Sequence, residues 1–372
     1  MKILIITHSL SAGGTERVVS NMANTWAAAA REVSVVTIAS RVHDYYHLDP
    51  SVQRIALDLE QISDNPLTAL GNNLRRIIAL RRAVRLARPD VIVAMMATSI
   101  CLARLATLGL KITVIGSERI HPPTLPLGAA WERLRRWLYP GLSAIVAQTE
   151  RSAAWLRNDC GAANVVVIAN SITLPLPIGK TGSLPPQQVM GEQQSILAVG
   201  RLETQKGFDL LIEAFAILRV TQPRWHLIIL GEGSARGALQ QRLDALGLHT
   251  CVHLPGNVGN PADWYEAADI FVMSSRFEGF PNALIEAMAY GLAVVSFDCE
   301  TGPAEVIEDG SDGLLVRAGD TQALADALTT LMSDETLRHR LATQARKSSQ
   351  RYSVPRITAQ WDALIDKLLN ER

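Results

Sequence analysis

Short apolar runs alternate with helical patterns along this chain, and the alternation occurs twice. In the first half the apolar runs fall at 2–7, 32–38, 91–94, 112–116, 144–147 and 165–168. In the second half they fall at 195–199, 226–230, 252–254, 270–273, 294–297 and 313–316. Strand–helix alternation implies crossover connections between parallel strands, so two doubly wound, Rossmann-like α/β domains facing a cleft are predicted. Between the two halves, residues 172–194 are rich in Pro, Gly and Gln and read as a linker. The expected organisation is a first domain at 1–171, this linker, a second domain at 195–351, and an amphipathic helix within 352–372. That helix can pack on either domain as far as the sequence goes. Ligands of such sheets bind beyond the carboxyl ends of the strands, so the chemistry is expected in the strand-to-helix loops at the cleft.

Composition narrows the class. At 372 residues, 48% of them hydrophobic and 19% charged, the chain has apolar surface for two cores and no disordered signature. No uncharged apolar run reaches the ~18 residues of a membrane span. The closest, 91–103, is interrupted by Arg104 and reads as a buried strand followed by a helix. Met1 and Lys2 lead straight into a strand with no signal-peptide layout, which suggests the cytoplasm. Cys101, Cys160, Cys251 and Cys299 lack paired spacing and read as free, buried thiols. No metal-ligand cluster is legible, so neither a metal nor a cofactor is expected.

The zero net charge conceals an asymmetry: 19 Lys/Arg face 12 Asp/Glu in residues 1–175, and 17 face 24 in the remainder. Six arginines and no acid occupy 74–88, with Arg81, Arg85 and Arg88 expected on one helical face. A second basic helix carries Arg133, Arg135 and Arg136 among aromatics. These helices suit an anionic membrane surface or the diphosphate of a lipid-linked acceptor. A solvated arginine face on an ordinary packed helix is the plainer alternative. Nucleic acid is not expected, because no recognised binding motif accompanies the charge.

The most specific stretch is Glu278-Gly279-Phe280-Pro281-Asn282-Ala283-Leu284-Ile285-Glu286. It follows an apolar strand and opens a helix expected from about Asn282 to Gly291, with Pro281 suited to a first helical position. The free N–H groups and positive dipole end of that helix favour a phosphate. Glu278 precedes the helix, and Glu286 in its second turn leans back toward the same end. Two carboxylates flanking an anion site are placed to accept hydrogen bonds from sugar hydroxyls, which describes a nucleotide-sugar. Upstream, Gly200-Arg201-Leu202-Glu203-Thr204-Gln205-Lys206-Gly207 joins another strand to a helix. Arg201 and Lys206 there can neutralise a diphosphate leaving group.

Together these elements resemble the donor site of family 4 glycosyltransferases, retaining enzymes of GT-B fold. The resemblance implies that Glu286 binds ribose, Glu278 contacts the transferred sugar, and the amides of Gly279 to Leu284 hold the diphosphate. The N-terminal loop around Gly13, Gly14 and Glu16 resembles the same enzymes' G-G-x-E-R loop; there the glycines face donor phosphates and acceptor. Glu16 either positions the acceptor or caps its helix. The run Gly231-Glu232-Gly233 lies beside the nucleotide by this resemblance, and Asn257 and Val258 line the base. A dinucleotide reading of the glycine loops is weak, since neither matches the spacing or supplies an acidic ribose partner.

The acceptor side is expected at Glu118, Arg119 and His121. Glu118 or His121 is a candidate to deprotonate or orient an acceptor hydroxyl, and Arg119 to bind it. Residues 298–305 are similar to a segment of bacterial transferases that extend exopolysaccharide or polyprenyl-diphosphate-linked glycans, including N-acetylgalactosaminyltransferases. The expectation is therefore a metal-independent transferase moving a hexose or N-acetylhexosamine from a UDP-sugar to such an acceptor, peripherally bound to the inner face of the cytoplasmic membrane. A nucleotide-sugar 2-epimerase and a non-catalytic lipid-surface protein are the rivals.

Overall fold

A computed structural model of the chain describes every residue except 12, 62–64, 180, 192 and 372. The described chain divides into two compact units, one of 1–171 with 354–372 and one of 172–353. The first holds a seven-stranded parallel sheet in the order β3-β2-β1-β4-β5-β6-β7. Its strands are β1 (Lys2–Thr7), β2 (Glu32–Thr37), β3 (Gln53–Ala56), β4 (Val91–Met95), β5 (Thr113–Ser117), β6 (Ala144–Ala147) and β7 (Val165–Val167). The second holds a six-stranded sheet in the order β10-β9-β8-β11-β12-β13. Here the strands are β8 (Gln194–Val199), β9 (Trp225–Leu230), β10 (Val252–Gly256), β11 (Ile270–Met273), β12 (Ala293–Asp298) and β13 (Leu314–Arg317). Both sheets reverse winding direction once, between β1 and β4 and between β8 and β11. The loops that follow these strands are thereby brought to one edge, the topological switch point.

The central strands are buried on both faces because helices cover each side. Ile3 and Ile5 point into one core with Trp26 and Trp361, while Leu4 and Ile6 point into the other with Ile92 and Ile145. Burying each such side chain contributes about 1.5–3 kcal/mol. Strand β3 has no counterpart among the apolar runs: it is a half-buried edge carrying Gln53 and Arg54, so hydrophobicity did not mark it.

The helix Val354–Asn370 packs on the first unit. Trp361 meets Trp26 edge-on at 6.3 Å. Asp362 accepts from Trp26 Nε1 at 3.0 Å and pairs with Arg31 at 2.6 Å. The segment expected as the linker packs on the second unit. The Trp264 indole N–H donates to the Leu184 carbonyl at 3.1 Å, the Leu184 amide to Asn260 Oδ1 at 2.9 Å, and the Leu176 amide to the Tyr290 hydroxyl at 3.0 Å. Lys180 and Glu192 of that segment lie outside the described residues.

Two helices bear on the basic surface. Helix α2 (Pro66–Ala87) opens with a reciprocal cap between Asn65 and Thr68. It ends at Arg88, which adopts a left-handed conformation (φ 45°) and so leaves the helical face expected to join it to Arg81 and Arg85. Arg81 turns onto the carbonyls of Ala106 and Leu108 at 2.9 Å. In helix α4 (Ala129–Leu138), Arg135 is buried rather than surface-facing, whereas Trp137 is 67% exposed. Among the described residues, no helix is long and apolar enough to cross a membrane.

Candidate functional site

In the second unit, the loops after β8, β9 and β11 are stitched into one surface. The Gln205 amide side chain donates to the Phe277 carbonyl at 3.0 Å, and the Arg276 amide donates to the Gln205 carbonyl at 2.8 Å. Arg276 also grips Asp209 through both nitrogens at 2.7 and 2.6 Å, and this guanidinium holds the Asp209 carboxyl below the usual range. Gly207 (φ +61°) and Gly231 (φ +142°) pass so close to the carbonyls of Ser274 and Gly200 that a Cβ at either would collide with them.

These contacts place Lys206 Nζ 2.7 Å from Glu278 Oε1. Ser275 Oγ donates to the same oxygen at 2.6 Å. Both bonds fall on Oε1, so Oε2 has no partner among the described residues. Thr301 Oγ1 donates to the Glu278 carbonyl and ties the β12 loop to it. The helix opening this site runs Asn282–Tyr290, with Pro281 at the cap rather than in the first turn, and stops at Gly291 (φ +81°). Its first N–H groups are partly self-engaged: Asn282 donates to Phe280 O at 3.0 Å and Leu284 to Pro281 O at 3.1 Å. Glu286 is buried one turn on and accepts from the Tyr265 hydroxyl at 2.9 Å; that ring stacks on Tyr290 at 5.5 Å. Arg201 extends to solvent with its guanidinium on Glu203 at 3.0 Å. Asn257 is exposed and Val258 half-buried. Cys299, beside Glu278, has its thiol pushed up to about 12 by burial and by that carboxylate, so it is no nucleophile near neutrality.

The first unit presents a different picture. Gly13 caps helix α1 (Gly14–Ala28), and the Glu16 carboxylate folds back over Gly13 while accepting from Ser9 Oγ at 3.2 Å. Glu118, expected as a candidate base, is buried: its carboxylate accepts from the Tyr139 hydroxyl and lies 3.4 Å from Arg135. Burial raises its pKa against the pull of Arg135. Arg135 also pairs with Glu132 at 3.1 Å and stacks over Trp155 at 5.6 Å. The carboxylate is the anion of an internal network, which corrects its placement at an open acceptor face. His121 is buried with Nδ1 at 3.0 Å from Ser152 Oγ. Arg119 is buried on Ser117 and Asn170.

Thr301 lies within the 298–305 segment, whereas the other partners that complete these arrangements (Ser275, Tyr265, Tyr139, Asn170) carry no local motif. Only Ser275, three residues before Glu278, was within reach of a spacing argument. Among the described residues, no group of three or more His, Cys, Asp or Glu side chains is arranged to hold a metal.

Two family descriptions match this architecture: a glycosyl transferase 4-like domain over residues 13–171 and glycosyl transferases group 1 over residues 184–348. The chain belongs to these glycosyltransferases, and its two parallel sheets are those of the GT-B fold. It is 27% identical over 371 residues to the GalNAc-alpha-(1->4)-GalNAc-alpha-(1->3)-diNAcBac-PP-undecaprenol alpha-1,4-N-acetyl-D-galactosaminyltransferase of Campylobacter jejuni, spanning 100% of this chain and 99% of that one. It is also 32% identical over 296 residues to an exopolysaccharide phosphotransferase of Streptomyces coelicolor; that match takes in 79% of this chain but only 30% of the relative's length. Among solved structures, the Anabaena protein HepE in complex with UDP and glucose superposes with a TM-score of 0.79 at 21% identity, covering 99% of this chain and 100% of that one.

Proposed function

We propose that the enzyme transfers a hexosyl or N-acetylhexosaminyl group, with retention of configuration, from a UDP-sugar to a lipid-linked or polysaccharide glycan. The observation that carries the donor assignment is the Lys206–Glu278 pair at the switch point of the second sheet. Lys206 spends one N–H on Glu278 Oε1 and keeps two for phosphate oxygens, while Oε2 stays open to a sugar hydroxyl. Arg201, exposed and paired with Glu203, adds a second cation. Each charge-assisted bond is worth about 1.5–3 kcal/mol, and its value grows as charge develops on the departing diphosphate.

In this reading Glu286, oriented by Tyr265, takes the ribose hydroxyls. Gly279, Phe280 and Ala283 supply the amides not turned inward, and Gly231, Asn257 and Val258 line the remainder. The acceptor oxygen attacks the anomeric carbon on the leaving-group face as the bond to the diphosphate oxygen breaks. The departing phosphate takes the acceptor proton, so no side chain is required as base or covalent nucleophile. HepE bound to UDP and glucose and the undecaprenol-linked substrate named for the Campylobacter relative support the donor and acceptor classes.

The first unit is the acceptor side, docked peripherally on an anionic inner-leaflet membrane. Helix α2 supports this: Leu67 (82% exposed), Leu70 (70%), Leu74 (56%) and Ile78 (44%) lie outward, followed by exposed Arg82 and Arg85. An apolar stripe flanked by arginines suits lipid headgroups, at about 1 kcal/mol per basic residue. Vesicles of 30% phosphatidylserine should bind wild type and lose the Arg75→Gln/Arg82→Gln/Arg85→Gln variant; equal binding of both would sink the docking.

The first test of the donor site is thermal unfolding of wild type and Glu286→Ala against UDP-sugars, GDP-sugars and NAD. A ligand at ~100 times its Kd adds about 2.7 kcal/mol. A UDP-sugar series that stabilises wild type and not the variant supports the pocket, whereas equal response of both removes it. Donor isomerised without an acceptor would indicate an epimerase instead.

A further inference from the structure

At the carboxyl end of the first sheet, three buried polar atoms lack a hydrogen-bond partner among the described residues: Arg119 Nε and both amide atoms of Gln148, Nε2 and Oε1. The two side chains are 5% and 4% exposed. Sheet register brings them together. Ser117 of β5 pairs with Val146 of β6, and Ala147 of β6 with Val167 of β7, so Arg119 and Gln148 lie level just past the strand ends. The guanidinium of Arg119 reaches from the end of β5 to Asn170, past the end of β7. It therefore crosses the end of β6, where Gln148 sits. Desolvation lowers its pKa to about 9, which marks a site where the charged form is not fully solvated. Leaving such atoms unpaired in a buried place is costly, and native proteins rarely do so without a ligand or water to fill the gap.

We infer that Gln148 and Arg119 form a recognition site for an uncharged pyranose of the acceptor, with the Gln148 amide donating to and accepting from adjacent groups of one sugar ring. This rests on the transferase reading above. The amide offers one donor face and one acceptor face side by side, which matches an acetamido group or a vicinal diol. A phosphate fits poorly, since Oε1 would oppose it and the single guanidinium is already shared with Ser117 and Asn170. An internal water is the competing occupant. The two make opposite forecasts for the free protein.

The test is Gln148→Met, which keeps length and removes both hydrogen-bonding atoms, with Gln148→Glu supplying acceptor oxygens without the amide donor and adding a charge beside Arg119. The readouts are unliganded melting, hydrolysis of the donor, and transfer to octyl α-N-acetylgalactosaminide and octyl α-galactoside. Unliganded Gln148→Met should melt unchanged or up to about 4 °C higher, because it relieves unpaired atoms. Donor hydrolysis should stay within about twofold. Transfer to the preferred glycoside should fall about 10- to 30-fold, through acceptor KM, with two neutral hydrogen bonds lost at roughly fivefold each. Gln148→Glu should recover part of that loss. A lower melting temperature with unchanged acceptor KM means a water or protein partner and overturns the inference. So does a wild type that hydrolyses donor yet glycosylates neither probe. If wild type neither binds nor hydrolyses any nucleotide-sugar, the transferase reading fails instead, and the melting comparison still decides whether Gln148 is unpaired.

Discussion

The two sheets present opposite conditions at equivalent edges. Beyond β8 and β11 the polar side chains already hold one another, Lys206 and Ser275 on Glu278 Oε1 and Tyr265 on Glu286, with Glu278 Oε2 left over. Beyond β5 and β6, Arg119 and Gln148 hold unpaired atoms, while Glu118 and Arg135 have withdrawn into the core, where Arg135 Nε lies 3.4 Å from Glu118 without a hydrogen bond. The contrast fits a division of labour. A site for one nucleotide-sugar gains from preorganisation, since groups fixed beforehand cost no reorganisation when charge develops. A site that completes its hydrogen bonds only with substrate discriminates by leaving groups unpaired when the wrong ring enters.

The largest effect is expected at Lys206. Lys206→Met removes the ammonium from both Glu278 and the phosphates and should lower kcat/KM about 10²- to 10³-fold, mostly in kcat. Steady-state transfer within fivefold of wild type would break the claim that the second edge is preorganised for the leaving group.

Next, Arg135→Met strands the Glu118 carboxylate among buried groups and should destabilise the first unit by about 3–5 kcal/mol. Replacing both partners, in Arg135→Met/Glu118→Leu, should recover most of that loss. Urea unfolding read on first-unit tryptophans measures both. If the double variant is as unstable as the single one, the network does more than neutralise itself.

The smallest effect is a pH dependence confined to the second unit. His226 Nδ1 lies 3.0 Å from His253 Nε2, and the pKa values of both are lowered, chiefly by burial. For His226, the neighbouring His253 and then Arg219 add to the lowering. Below the unperturbed value of about 6.5 the unfolded chain therefore binds more protons than the folded one, so stability falls as the pH drops through this range. Asp209 acts in the same direction further down, because its paired carboxylate loses Arg276 only once it is protonated. The variant His226→Gln/His253→Gln should flatten the change in melting temperature between pH 7.5 and 5. A wild-type profile that is already flat would remove the pair from the comparison.

Legibility differed between the edges for the same reason. The second-unit loops are contiguous motifs, so Glu278, Glu286, Arg201 and Lys206 could be named from spacing, and the helix Asn282–Tyr290 falls where its breakers place it. The first-unit groups come from three separate strand ends. Glu118 looked like an open base because nothing within a few residues betrays Tyr139 or Arg135. Gln148 sits in a stretch with no motif at all, and β3 is an edge strand too polar for the apolar pattern to mark.

Periodicity and turn residues are local properties, so the sequence by itself determined two doubly wound sheets, the strand-to-helix loops and the contiguous motifs that we propose hold the donor. Which carboxylate faces a ligand and which is neutralised inside is not local. Tertiary packing decided it: parallel register set Arg119 beside Asn170, 51 residues away, and the turn that ends helix α4 set Tyr139 beside Glu118, 21 residues away. A buried charge must find its counter-charge wherever the chain returns, and only the tertiary structure fixes where that is.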